Sequence, residues 1–207
     1  MSTRPFLRCE VHPDNPQGRQ LQVVAERLRA GAIAAVPTAS GYLLTSRFDD
    51  KAAAARLLHR VDERLPVMLL CRDLAQAAAF MRIDDSAFRT IREARRGSAA
   101  FLLRCTHRVP RRLAAGAGGH ALLYFAGHAA GHGLLEQLED PLLALAPPDG
   151  LRELDQLTVD SLALLDVALD AGPLSEPQPI EYVELVQPAR AIARLWTQPT
   201  GDICLAA

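Results

Sequence analysis

Between Val36 and Leu44 the chain reads Val-Pro-Thr-Ala-Ser-Gly-Tyr-Leu-Leu. An apolar run ends in a proline, and two hydroxyls, a glycine and a phenol follow at Thr38, Ser40, Gly41 and Tyr42. Such a stretch can aim backbone N–H and side-chain O–H groups at an anion, and it is also what an ordinary strand-to-loop turn looks like. A second candidate is imidazole: His128 and His132 stand at i, i+4, and His120 lies eight residues before His128. Spacing of this kind can bring nitrogen donors to one metal. The run from Gly127 to Gly133 is rich in glycine, however, and no cysteine or carboxylate completes an obvious donor set, so no metal is assigned. A third candidate is cationic. Arg104, His107, Arg108, Arg111 and Arg112 cluster within nine residues, with Arg92, Arg95 and Arg96 shortly before them. These groups could contact phosphates of RNA, or form a solvated arginine face. No aromatic residue interleaves with them, which favours backbone and shape recognition of duplex RNA over stacking on single strands.

The elements that would position these groups follow from periodicity. Leu21, Val24, Ala25 and Leu28 recur at helical spacing, and Gly31 is placed to stop that helix. Ala32–Val36 reads as a buried strand ending at Pro37, and Tyr42–Leu44 as a second strand. Asp50 is positioned to cap a helix from Lys51 to about Arg60, and Asp73 a helix over Leu74–Phe80. Pro66–Cys71 and Ala99–Cys105 read as strands, with a helix over Ala87–Arg95 opened by Asp85-Ser86. Residues 116–133 read as mobile or irregular, with Leu122–Phe125 as the strand-like part. Helical Leu134–Leu138, a strand at Leu142–Leu145, a helix near Arg152–Thr158 and a buried strand over Leu162–Leu169 follow. Tyr182–Val186 and Ala191–Trp196 pair as closing strands. Strands and helices alternate, so the class is α/β with a twisted mixed sheet and flanking helices. Residues 12–207 read as one domain behind an N-terminal extension of residues 1–11, with Val36, Leu69, Leu102 and Leu165 in the core.

Composition agrees with a folded enzyme-sized or binding domain. Of the 207 residues 49% are hydrophobic, enough for a proper core, and 23% are charged, which excludes a disordered chain. No run of eighteen apolar residues is present to span a membrane, and the basic start lacks an apolar leader. The four cysteines form no CxxC pair and read as reduced thiols, so the expected location is cytoplasmic. The net charge of −1 hides a split: residues 1–115 hold 20 of the 23 basic and 11 of the 24 acidic groups. That division supplies either a positive surface for an anionic partner or two halves that attract each other.

Beyond single motifs, Val36–Leu44 resembles the Pro-Thr-(Asp/Glu)-(Ser/Thr)-x-Tyr-x-Leu signature of the YrdC/YciO family, the threonylcarbamoyl-AMP synthases and their relatives. His12–Pro16, Cys71–Leu74 and Val109–Leu113 are similar to the YciO branch in order and spacing. Leu134–Leu138 with Pro141, then Leu165-Asp166 and Ala171-Gly172, extend the resemblance over about residues 12–195. It implies a single YrdC-like domain whose open sheet lines a concave, positively charged cavity. Family enzymes join threonine, bicarbonate and ATP into threonylcarbamoyl-AMP for tRNA modification, and the family is linked to double-stranded RNA. The resemblance implies nucleotide or substrate contacts at Thr38, Ser40, Tyr42, Arg60 and Arg194, and RNA contacts at Arg104, Arg108, Arg111 and Arg112. Several family positions differ. The acidic residue of the signature is Ala39, and the Lys-x-Arg element retains Arg60 alone as a permanent cation. A sheet threonine is Ala100, the Arg-x-Pro arginine is Tyr124, and the Ser-x-Ser-x-Asn segment is Ala144–Pro147. The expectation is therefore a protein that binds nucleotide, double-stranded RNA or tRNA with reduced or absent synthase activity, no residue being assigned as catalytic. The alternative is an active L-threonylcarbamoyladenylate synthase; no cofactor is expected unless that reading holds, in which case ATP and magnesium would enter the reaction.

Overall fold

Leu21, Val24, Ala25 and Leu28 are all buried on one side of α1 (Gly18–Arg29), as their spacing requires. The computed structural model describes residues 6–59, 68–94, 96–114, 119–146, 151–174, 180–186 and 192–194. Asp50 accepts N–H bonds from Ala52 and Ala53 and opens α2 (Lys51–Leu58), and Asp73 accepts from Gln76 at the head of α3 (Leu74–Phe80). The helix expected to open at Asp85-Ser86 is capped one residue earlier: Asp84 accepts from Ala87 and starts α4 (Asp85–Glu93).

The strands are β1 (Leu7–Glu10), β2 (Ala34–Thr38), β3 (Gly41–Arg47), β4 (Met68–Cys71), β5 (Ala99–Arg104), β6 (His120–Phe125), β7 (Leu142–Leu145), β8 (Val167–Asp170), β9 (Glu181–Glu184) and β10 (Ile192–Arg194). They form one mixed sheet in the order β1-β8-β2-β3-β7-β4-β6-β5-β9-β10. Buried apolar residues make one continuous cluster from Cys9 to Leu174, so the chain is a single α/β domain. Val36, Leu69 and Leu165 belong to that core, whereas Leu102 is half-buried because β9 sets the exposed Glu184 beside it. The segment before His12 supplies an edge of the sheet, since β1 pairs in parallel with all four residues of β8. Cys9, Cys71 and Cys105 are free thiols, and no helix among the described residues is long and apolar enough to cross a membrane.

Two stretches depart from their sequence pattern. The apolar run Leu162–Leu169 is not one strand. Thr158 caps the short helix α6 (Val159–Leu162), and β8 begins only at Val167. Between them the Asp166 carboxylate accepts the Ile33 N–H at 2.9 Å and pairs with Arg56 at 3.0 Å, which commits 163–166 to a loop. The glycine-rich segment is ordered over its described part. Residues 120–125 are β6, in the interior of the sheet, and α5 (Ala129–Leu138) runs through both Gly131 and Gly133. Glycine costs a helix roughly 1 kcal/mol per residue. Here Leu134, Leu135 and Leu138 are buried, and burying such side chains contributes roughly 1.5–3 kcal/mol each. Gly131 is also required sterically: a Cβ there would sit 2.5 Å from the Pro37 carbonyl oxygen.

Candidate functional site

The hydroxyl-bearing stretch forms a tight hairpin tip between β2 and β3, with Thr38 paired to Gly41 and Ala39-Ser40 at the turn. Gly41 takes φ +107°, and a Cβ there would lie 2.6 Å from the Leu151 carbonyl oxygen, so only glycine fits. Thr38 Oγ1 donates to the Gly41 carbonyl at 2.7 Å and accepts the Ser40 N–H at 3.2 Å. Ser40 Oγ donates to the Gly97 carbonyl at 2.8 Å. The Tyr124 phenol comes from β6 and lies 2.9 Å from Ser40 Oγ and 3.0 Å from the Gly97 oxygen. The Ala39 N–H donates to the Ala126 carbonyl at 2.8 Å, which ties the tip to the end of β6. Thr38, Ser40 and Tyr124 are all buried, and no buried side-chain polar atom among the described residues lacks a partner.

Tyr42 is fully buried and bonds into a second network, at the end of β8. Its hydroxyl donates to the Gly172 carbonyl at 2.8 Å and accepts the Ala171 N–H at 2.9 Å, with Asp170 Oδ1 at 3.3 Å. Arg8 on β1 pairs with the same Asp170 and, at 2.8 Å, with Asp155. Burial pushes the Tyr42 phenol well above its ordinary pKa, and burial likewise raises that of Tyr124 against the lowering effect of its bond to Ser40. Both phenols therefore stay neutral donors. Asp170 and Arg8 were not legible as neighbours of the signature, because 128 residues separate Asp170 from Tyr42.

The register gathers the positions that differ from the family pattern. Ala100 is the cross-strand partner of Tyr124, and Tyr124 in turn pairs with Leu70. Ala144 pairs with Met68, two residues along from Leu70 and therefore on the same face. Ala100, Tyr124 and Ala144 thus share one face, all of them buried. Arg60 and the Pro147 end of the Ser-x-Ser-x-Asn segment lie outside the described residues. The backbone of Arg194 is the last residue of β10, paired with Glu181.

The histidines do not converge. His128 Nδ1 accepts the Ala130 N–H and caps α5, His132 pairs with Glu136 at 3.6 Å, and His120 faces Arg104 across β5 and β6. No group of metal-binding side chains exists among the described residues. The arginines, in contrast, do make a surface. Arg104, Arg108, Arg111 and Arg112 are exposed, with the Arg108 guanidinium 4.8 Å from the centre of the Phe80 ring. Sequence reasoning missed a fifth member: the exposed Arg82 donates its N–H to the Arg104 carbonyl at 2.8 Å. Among the described residues none of these five side chains pairs with a carboxylate. Arg92 and Arg96 belong elsewhere, beside a cavity between α3 and α4.

A sequence model of the Sua5/YciO/YrdC family, described as telomere recombination, matches residues 26–194. The chain belongs to the Sua5/YciO/YrdC family. It is 28% identical over 200 residues to YciO of Escherichia coli K12, an uncharacterized protein, covering 93% of this chain and 95% of that one. The crystal structure of E. coli YciO superposes with a TM-score of 0.80 at 26% identity, covering 91% and 95% of the two chains. Sua5 of P. abyssi, solved with L-threonine, shares the fold at a TM-score of 0.73 and 17% identity, over 88% of this chain and 56% of that one. Full-length HypF in a phosphate- and nucleotide-bound form shares it at 0.59 and 16%, over 79% of this chain and 27% of HypF. The expected YrdC-like α/β fold is thus the observed one.

Proposed function

We propose that this YciO-like protein binds a nucleotide or another phosphate-bearing ligand, together with double-stranded RNA or tRNA, and has little or no threonylcarbamoyl-AMP synthase activity. The observation that carries the reading is the Ser40–Tyr124–Gly97 network. It puts a neutral, buried phenol at the position matched to the family's phosphate-facing arginine. A reaction that displaces pyrophosphate must neutralise developing charge, and fixed cations and donors do most of that work. Here Thr38 and Ser40 donate inward to backbone carbonyls, and Ala100 and Ala144 offer no polar group. Binding tolerates fewer contacts than transition-state stabilisation does. In this reading Thr38, Ser40 and Tyr42 shape the tip, while Arg60 and Arg194 supply charge to the ligand. RNA lies on the exposed surface of Arg104, Arg108, Arg111 and Arg112, extended by Arg82.

The relatives solved with threonine or with phosphate and nucleotide support a small-molecule ligand of that chemistry. The test supplies purified protein with ATP, threonine and bicarbonate and follows pyrophosphate release. A Thr38→Ala, Arg194→Ala double variant gives the background. Release at background level, with saturable nucleotide binding by calorimetry, is the expected result. Turnover at ordinary enzyme rates, about 1–10³ per second, overturns it in favour of an active synthase.

A further inference from the structure

Behind the Tyr124 face lies a cavity of about 290 Å³ between the start of α3, the end of α4 and strands β5 and β6. Side chains alternate along a strand. Phe101 and Ala99, which line the cavity, flank Ala100 in sequence, and Phe125 follows Tyr124, so the cavity opens on the opposite face from Tyr124 and Ala100. Its rim residue Arg96 directly precedes Gly97 of the hairpin-tip network, so the cavity and the tip adjoin through that backbone and open on opposite faces of the sheet.

The cavity is chemically two-sided. Its floor is apolar: Phe101, Phe125 and Ile91 are buried. Its rim carries Arg92 and Arg96, both exposed and, among the described residues, without an ion pair. The acid at the rim is already engaged. Asp73 pairs with Arg72 at 2.8 Å and accepts the Gln76 N–H at 2.7 Å, and these bonds hold its carboxyl below the usual carboxylate range. The charge left over is positive. An apolar cavity of about 150 Å³ admits one benzene ring, so this volume suits a ring with a short side chain.

We propose that this cavity is a binding site for a small aromatic carboxylate, its ring against Phe101 and Phe125 and its carboxylate between Arg92 and Arg96. Phenyl rings pack well edge-to-face with phenylalanine, and arginine receives carboxylate through two parallel N–H bonds. Because the cavity is independent of the nucleotide reading, it stands whatever the pyrophosphate assay returns.

The experiment uses the full chain, isotopically labelled, titrated with 3-phenylpropionate and followed by amide NMR. Two control probes are 2-phenylethylamine, which reverses the charge, and 3-phenylpropanol, which removes it. Saturable shifts confined to amides near residues 91–101 and 125 are expected with the carboxylate, at least tenfold weaker with the alcohol and absent with the amine. An Arg92→Gln, Arg96→Gln variant should weaken carboxylate binding at least tenfold, and Ala94→Leu, which fills space at the rim, should abolish it. Circular dichroism checks that each variant is folded, and the wild-type control probes read charge selectivity without any variant. Carboxylate and amine shifts of equal size, shifts elsewhere in the molecule, or no saturation by 10 mM ligand (roughly the weak limit for such a fragment) would overturn the proposal.

Discussion

The hairpin tip and the arginine surface put hydrogen-bonding side chains to opposite ends, neutral hydroxyls turned inward at the one and guanidiniums left outside at the other. At the tip, Thr38, Ser40 and Tyr124 are buried and each hydroxyl is bonded to the protein itself. On the surface, Arg82, Arg104, Arg108, Arg111 and Arg112 are exposed and, among the described residues, without a carboxylate partner, although Arg108 lies over the Phe80 ring and Arg112 reaches the Phe48 carbonyl. A buried donor left without a partner costs about 1–3 kcal/mol, so groups inside the core must bond one another. Groups at the surface stay solvated at little cost until a ligand replaces the water. The motif that looked most like a site therefore serves first to join β2, β3, β5 and β6. The arginine cluster keeps its charged groups at the surface instead.

The sharpest way to break this contrast is Tyr124→Arg, which puts a cation at a fully buried position. With no carboxylate bonded there, the guanidinium should destabilise the fold by about 3–5 kcal/mol in urea unfolding, as unpaired buried charges do. A variant as stable as wild type would mean that the tip has open room for a cation. The arginine surface should respond in the reverse sense. Replacing Arg104, Arg108, Arg111 and Arg112 together by alanine should change folding stability by only about 0.5 kcal/mol per site or less. The same variant should flatten the salt dependence of duplex RNA binding by about one unit of slope per arginine, measured by filter binding across a salt series. Adding Arg82→Ala should flatten it further, and an unchanged slope would remove Arg82 from the interface.

Smaller effects sharpen the same distinction. Tyr124→Phe keeps the ring and deletes the hydroxyl that bridges Ser40 and Gly97, so it should cost about 1 kcal/mol and leave RNA binding untouched. His128 offers a pH test. Burial holds its pKa below the ordinary 6.5, an effect partly offset by Asp14. Above 6.5 both folded and unfolded chains carry it neutral, and its contribution is fully present. As pH falls below 6.5, the unfolded chain takes up a proton that the folded chain resists, so stability is lost until the folded pKa is passed. The slope cannot exceed about 1.4 kcal/mol per pH unit for one proton. His128→Asn keeps a cap for α5 and should remove that part of the pH dependence in unfolding curves run from pH 7.5 to 5.

Much of this molecule follows from local chemistry alone. Helical spacing in Gln17–Ala30, the caps at Asp50 and Asp73, and the short apolar strands around Val36, Leu69 and Leu143 are properties of neighbouring residues, so the α/β class was legible in the order of amino acids. The matched motifs carried the family as well. Glycine content misled around Gly131, because helix propensity is a per-residue term of about 1 kcal/mol and says nothing of the Pro37 carbonyl that only a glycine can approach. The strand expected to begin at Leu162 started at Val167, because the Asp166 bonds to Ile33 and Arg56 span more than a hundred residues. Whether the hydroxyls of Thr38 and Ser40 face a ligand or the backbone was likewise a matter of which distant strand lay beside them. Sequence determined which groups are present and which elements carry them. Packing decided their partners, since a hydrogen bond depends on distances of about 3 Å that only the folded chain defines.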